Sequence, residues 1–128
     1  MYPEAPLLAL GVSLGGIILG NYLADEGEKA KERLAAAMLV SVCFDTFRGC
    51  ESLERKGLNL MLNRHLAGCL VQSIKDAQEH FAQSNLWDLD HVFSSKTIRE
   101  FDERFTCPQF GFSGYREYYT HARIKVAT

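Results

Sequence analysis

The apolar positions along this chain change period once, and the change divides it. Leu7-Leu8-Ala9-Leu10 is a continuous apolar run between Pro6 and Gly11, the pattern of a short strand buried on both faces of a parallel sheet. From Leu14 to about Ala24 the apolar residues recur at helical spacing, with Ile18 above Leu14, Tyr22 above Ile18 and Leu23 above Leu19. Residues 25–33 form a highly charged stretch around Gly27, which predicts a helix end and a solvated loop. Ala35 to Val42 is apolar again and predicts a second buried strand. Strand, helix and strand make one βαβ unit over residues 1–43.

Beyond residue 43 no further strand pattern occurs. Leu58, Met61, Leu62, Leu66, Cys69, Leu70, Ile74, Ala77 and Phe81 follow spacings of three to four and predict one or two amphipathic helices. Thr97-Ile98-Arg99-Glu100 has the form of a capping box, with Ile98, Phe101 and Phe105 on one face and i,i+4 pairing predicted for Arg99/Glu103 and Glu100/Arg104. Pro108, Gly111 and Gly114 interrupt the periodicity, after which Ser113 is placed to cap a short helix carrying Tyr115, Tyr118 and Tyr119. Residues 44–128 are therefore expected to be a mostly helical segment attached to the βαβ unit.

Composition narrows the classes. The chain has 128 residues, 47% hydrophobic and 23% charged, which suits an ordinary globular domain. Fourteen Lys and Arg are scattered among sixteen Asp and Glu, so no basic face for nucleic acid is built. Cys43, Cys50, Cys69 and Cys107 form no C-x-x-C pair and are expected to be reduced, mostly buried thiols, with no metal site. No Asn-x-Ser/Thr acceptor and no charged leader marks secretion. Residues 5–24 carry no charge and approach a membrane-spanning length, but Pro6, Gly11, Gly15, Gly16 and Gly20 divide them into strand, turn and buried helix. Gly16-x-x-x-Gly20 is read as a surface for close helix packing rather than a membrane dimer face.

The chemistry lies in Gly11-Val12-Ser13-Leu14-Gly15, a G-x-S-x-G pattern that an apolar strand enters and a helix leaves. A serine hydroxyl is a weak nucleophile, so it must be exposed, given a base and provided with donors for the oxyanion its attack creates. A strained strand-to-helix turn does the first, and small residues such as Gly11 and Gly15 keep backbone from clashing in it. Gly16 lets helix and sheet approach. The Leu14 amide, at the head of the helix, would be one oxyanion donor. A phosphate-cradling turn is the competing reading, but neither G-x-G-x-x-G nor a G-K-[ST] ending is present.

With this elbow, the stretches YPEAPL before GVSLGG, SLE at Ser52 to Glu54, TIREFDERFT at Thr97 to Thr106, FGF at Phe110 to Phe112 and YREYYTHA at Tyr115 to Ala122 resemble the abhydrolase-domain lipases. These form the α/β-hydrolase branch that includes monoacylglycerol lipases, medium-chain phospholipases and alcohol acyltransferases. The resemblance implies a partial α/β-hydrolase fold in which residues 44–128 are a helical cap or lid, ending in a divergent stretch from Arg123. It implies a serine-dependent carboxylic ester hydrolase acting on acyl glycerols or phospholipids through an acyl-enzyme on Ser13, without cofactor, and an O-acyltransferase as the alternative. The family's acid and histidine lie outside the regions matched, so the chain is expected to be an incomplete, nearly inactive piece, or an inert truncated form that acts by binding. Membrane association would come from a segment absent here. Within the chain, Asp45 follows the second strand where some α/β-hydrolases keep their acid; a solvated loop or cap contact is the competing reading. His65, His80, His91 and His121 are expected on the cap surface, and Asp88-Leu89-Asp90-His91 as a helix entry with capping aspartates rather than a metal site.

Overall fold

The computed structural model describes residues 4–125, which divide into two compact units, one of residues 4–46 and 122–125 and one of residues 47–121. In the first, strand β1 (Leu8–Val12) leads through Ser13 into helix α1 (Leu14–Glu26), then helix α2 (Glu28–Arg33) and strand β2 (Ala36–Val40). The strands pair in parallel, with Leu8 opposite Ala36 and Val12 opposite Val40. An extra bond from the Ala35 amide to the Leu7 carbonyl (2.9 Å) extends the ladder. Helix α1 packs on β1.

Three features depart from the sequence pattern. Strand β1 continues through Gly11 and Val12 instead of stopping at Leu10, and β2 ends at Val40 because Ser41 turns the chain with φ 51°. The charged stretch 25–33 is largely helix: Glu28, Lys29, Ala30, Lys31 and Glu32 all favour helix, and Gly27 at φ 52° separates them from α1. Glu28 in the first turn and Lys31 and Arg33 in the last suit the dipole. Finally, the strands are not buried on both faces. Leu8, Leu10, Val12, Met38 and Val40 are exposed, because a two-stranded sheet among the described residues has few neighbours to cover them. Among those residues no helix is long and apolar enough to cross a membrane, and 5–24 is strand, turn and helix.

The second unit is helical throughout the described residues. It holds α3 (Thr46–Leu53), α4 (Leu58–Asp76), α5 (Gln78–Phe81), α6 (Leu89–Phe93), α7 (Ile98–Phe101), α8 (Cys107–Phe110) and α9 (Tyr115–Ala122), a π-helical turn at Asp102–Thr106 joining α7 to α8. The periodic run 58–81 is two helices broken at Ala77. Its core is Val71, Val92 and Phe101, against which Ile74, Trp87, Phe93 and Phe105 pack. Trp87 stacks on Phe105 at 5.2 Å and donates its indole N–H to the Phe105 carbonyl (3.3 Å). Buried Asn63 ties α4 to its surroundings, donating to the Leu53 carbonyl (3.3 Å) and accepting from the Ile98 amide (2.9 Å).

Thr97 caps α7 by accepting from the Glu100 amide (3.2 Å), while the Glu100 carboxylate accepts from the Lys96 amide (2.7 Å) rather than from Thr97. Of the two predicted i,i+4 pairs, Glu100–Arg104 forms at 3.9 Å, whereas Arg99 turns to Glu54 (2.6 Å) and lies over the Tyr115 ring. Glu103 accepts from the Tyr115 amide (2.6 Å) at the start of α9. Ser113 does not cap that helix as an acceptor; its amide and hydroxyl both donate to the Glu117 carboxylate (2.7 Å each). Carboxylates, stronger acceptors than a hydroxyl, thus serve this helix start. The four cysteines form no disulfide, but only Cys107 is buried; Cys43 and Cys50 are half-buried and Cys69 is exposed.

Candidate active site

Ser13 sits where the carboxyl end of β1 meets the amino end of α1, at φ 52° and ψ −117°. Positive φ at a residue with a Cβ costs on the order of 1–3 kcal/mol and persists only where the surroundings enforce it. Here they do. The Ser13 amide donates to the Val40 carbonyl at the end of β2 (3.0 Å), and the Ser13 carbonyl accepts from the amides of Gly16 (3.0 Å) and Ile17 (3.2 Å). A serine at a helix start usually turns its hydroxyl inward to cap the helix. Ser13 makes no such bond and is exposed, so its Oγ is not consumed by the helix it begins. The amides of Leu14 and Gly15, lying in the first turn, have no intrahelical acceptor.

The glycines divide unequally. A Cβ on Gly11 would stand 2.5 Å from the Gly15 carbonyl oxygen and 2.7 Å from Gly16 Cα, both backbone, so the turn requires glycine there. At Gly15, by contrast, a Cβ would meet nothing within 4 Å, and the need for a small residue inferred from the motif does not arise from these surroundings. Gly16 lies against Val42, whose Cβ would be 3.1 Å from an added methyl, and Gly20 against Ile124, whose Cδ1 would be 2.8 Å away. Both glycines are buried, as close packing predicts.

Asp45 lies past β2 in the same unit. Its carboxylate is 3.2 Å from the Arg123 guanidinium, and its carbonyl accepts a weak bond from the Cys43 thiol (3.1 Å). No histidine occurs in this unit; His65, His80, His91 and His121 all belong to the helical one. There Asp88 caps α6 by accepting from the His91 amide (3.1 Å), and Asp90 occupies the first turn. Among the described residues no group of three or more His, Cys, Asp or Glu could hold a metal ion.

Two residues of this unit escaped the reading of the sequence. Asn21, in the middle of α1, donates its side-chain N–H to the Ala122 carbonyl (3.1 Å), and its side-chain oxygen accepts from the Lys125 amide (3.1 Å). Arg123 is the partner of Asp45. Asparagine is a poor interior helix residue, and that local conflict was the available signal for Asn21.

A parallel βαβ pair with a positive-φ serine at its strand-to-helix junction is the arrangement of a partial α/β-hydrolase fold. Over 122 residues, 95% of this chain, the sequence is 44% identical to human phospholipase ABHD3, and the match covers 29% of that protein. It is 37% identical over 123 residues, 96% of the chain, to Caenorhabditis elegans protein abhd-3.2, covering 32% of it. To the monoacylglycerol lipase of Saccharomyces cerevisiae it is 25% identical over 126 residues, 94% of the chain and 27% of that enzyme. The chain belongs to the abhydrolase-domain lipase branch of the α/β-hydrolases and spans about three tenths of the length of these relatives. No family model and no solved structure matches it.

Proposed function

We propose that this chain supplies the nucleophile and the cap of a serine carboxylic ester hydrolase acting on acyl glycerols or phospholipids. One observation carries the reading: Ser13 holds φ 52° at a strand-to-helix junction with its hydroxyl unused for capping. The family names of the relatives, phospholipase and monoacylglycerol lipase, support the substrate class. In this mechanism Ser13 Oγ attacks the ester carbonyl carbon and gives up its proton to a base. The tetrahedral oxyanion accepts a hydrogen bond from the Leu14 amide at the positive end of α1. The alcohol leaves with a proton, and water releases the acyl group from Ser13.

The base is assigned to a part of the enzyme outside these residues, since the unit bearing Ser13 has no imidazole. Asp45 is assigned to its pair with Arg123 rather than to the triad. Residues 44–128 are assigned to the cap over the acyl chain. Losing a triad partner lowers turnover by about three to six powers of ten, so the 128 residues alone should hydrolyse esters barely at all.

The test is a fluorophosphonate probe applied to the full-length protein that carries this chain. Labelling that disappears in Ser13→Ala supports the assignment, and labelling that survives the substitution overturns it. An unlabelled full-length protein would favour an inert binding role. The acyl-enzyme can also pass its acyl group to an alcohol; predominant transfer to ethanol at low ethanol would replace hydrolysis by O-acyl transfer.

A further inference from the structure

The chain leaves the elbow unit after Thr46 and re-enters it at Ala122, so residues 47–121 are inserted between two nearby crossings. Several side chains beside these crossings bind within the elbow unit. Asp45, just before the exit, pairs with Arg123, just after the return, at 3.2 Å. Ile124 is buried, and Gly20 leaves the space it occupies: a Cβ there would stand 2.8 Å from Ile124 Cδ1. Asn21 brackets the returning backbone, donating to the Ala122 carbonyl and accepting from the Lys125 amide (3.1 Å each). Lys125 adds an ion pair to Asp25 (2.6 Å). One side-chain amide thus does what a neighbouring strand would do, satisfying one acceptor and one donor three residues apart.

We infer that Asn21 and the Asp45–Arg123 pair are positioning residues that clasp both ends of the 47–121 insert on the elbow unit, so that substrate binding depends on the clasp. Clasping both ends confines a 75-residue loop at its base, limiting the arrangements open to the insert before any other contact is made. The ion pairs are largely exposed and contribute little on their own. Ile124 in its notch and the Asn21 bracket contribute most. Helix α1 carries Asn21 and Gly20 of the clasp and begins directly after Ser13, so the returning chain is held by the helix that leaves the elbow.

The effect on substrate rests on the hydrolase reading above; the clasp itself does not, and the experiment separates them. Native-state hydrogen exchange on the full-length protein reads the Lys125 amide, with the Ser13 amide bonded to Val40 as the internal control. Asn21→Ala should accelerate Lys125 exchange about tenfold or more, as loss of two hydrogen bonds implies, and leave the Ser13 amide unchanged. Arg123→Gln, at an exposed side chain, should accelerate it about twofold without risk to folding, and charge exchange by Asp45→Arg with Arg123→Asp should restore it. Unchanged Lys125 exchange in Asn21→Ala, or equal acceleration of Lys125 and Ser13 in both single variants, overturns the clasp. For a monoacylglycerol, Asn21→Ala should raise KM about threefold or more with kcat held within about twofold. Faster exchange with unaltered KM overturns the positioning role while the clasp stands. Failure of Ser13 to take the fluorophosphonate probe would instead strike the hydrolase reading.

Discussion

Gly11 and Gly15 flank Ser13 symmetrically in the motif, yet the structure predicts opposite outcomes when each becomes alanine. On Gly11 the new methyl would sit 2.5 Å from the Gly15 oxygen, 2.7 Å from Gly16 Cα and 2.9 Å from the Gly15 carbonyl carbon. Carbon needs about 3.5 Å from such atoms, so β1 and the first turn of α1 must separate by roughly 1 Å. The obstacles are backbone and cannot rotate away. Overpacking costs about 1–3 kcal/mol, and rigid obstacles put Gly11→Ala near the upper end, at about 3 kcal/mol. Separation would also stretch the bond from the Ser13 amide to Val40 and relax the φ of 52° that presents the hydroxyl. Gly15→Ala meets open space in the first turn of a helix, where alanine is favoured over glycine by about 0.5–1 kcal/mol. Urea denaturation should therefore lower the midpoint for Gly11→Ala and hold or raise it for Gly15→Ala, and fluorophosphonate labelling should be lost in the first variant only. Equal tolerance of both, or greater damage from Gly15→Ala, would refute the claim that close backbone approach at the turn is what demands glycine.

Asn63→Ala should lower the melting temperature by an amount corresponding to about 2–3 kcal/mol, because it leaves the Ile98 amide and the Leu53 carbonyl without their buried partner. Asp102 has its carboxyl raised above 3.8 by burial, which outweighs the hydrogen bonds from Thr106 and Tyr119. A raised folded value stabilises fully below pH 3.8 and is lost as pH rises through that value, so the stability of Asp102→Asn relative to the native chain should grow from pH 4 upward in denaturant titrations; a pH-independent difference would contradict this. Iodoacetamide at neutral pH should modify exposed Cys69 well before Cys107 and Cys50, whose thiols burial pushes up to about 11; mass spectrometry gives the order. The isolated chain should self-associate in a concentration-dependent manner through its open apolar sheet, and a strict monomer in sedimentation at high concentration would count against it.

What could be read from the sequence were the features that depend on neighbours in the chain. The elbow is one: strand, serine and helix follow within seven residues, and Gly11 marks a close approach to Gly15 and Gly16 a few positions on. The Thr97 and Asp88 caps are others, since a cap involves side chain and backbone three residues apart. Readings failed where a distant partner decided. Arg99 was expected to pair with Glu103 one turn away, but Glu54 offers a carboxylate at 2.6 Å and Tyr115 a ring to lie on, while Glu103 is taken by the start of α9. For Asp45 the sequence leaves a triad acid beside a solvated loop or cap contact, and it does not reveal Arg123, 78 positions on, as the ion-pair partner. Helix α2 departs from the pattern for a different reason: a dense run of charge suggests a solvated loop, yet lysine, glutamate and alanine are strong helix formers.

The exposed strands bring these lines together. Leu8, Leu10, Val12 and Met38 follow a pattern written for burial on two faces, yet each is more than half exposed. Exposed to that extent, such side chains each forgo about 1–2 kcal/mol of transfer free energy, together a large share of the stability of any single domain. A hydrophobic pattern therefore records the environment a segment is built for, not the one a given stretch of chain provides by itself. The same reasoning applies to Ser13. Its strained backbone and unused hydroxyl represent a conformational cost with no return inside the unit that holds them, where there is no imidazole to activate the oxygen. Open sheet faces and the serine proposed as nucleophile meet at one element, the carboxyl end of β1, and both fit the proposal in which further strands and the catalytic base are contributed by the rest of a longer hydrolase.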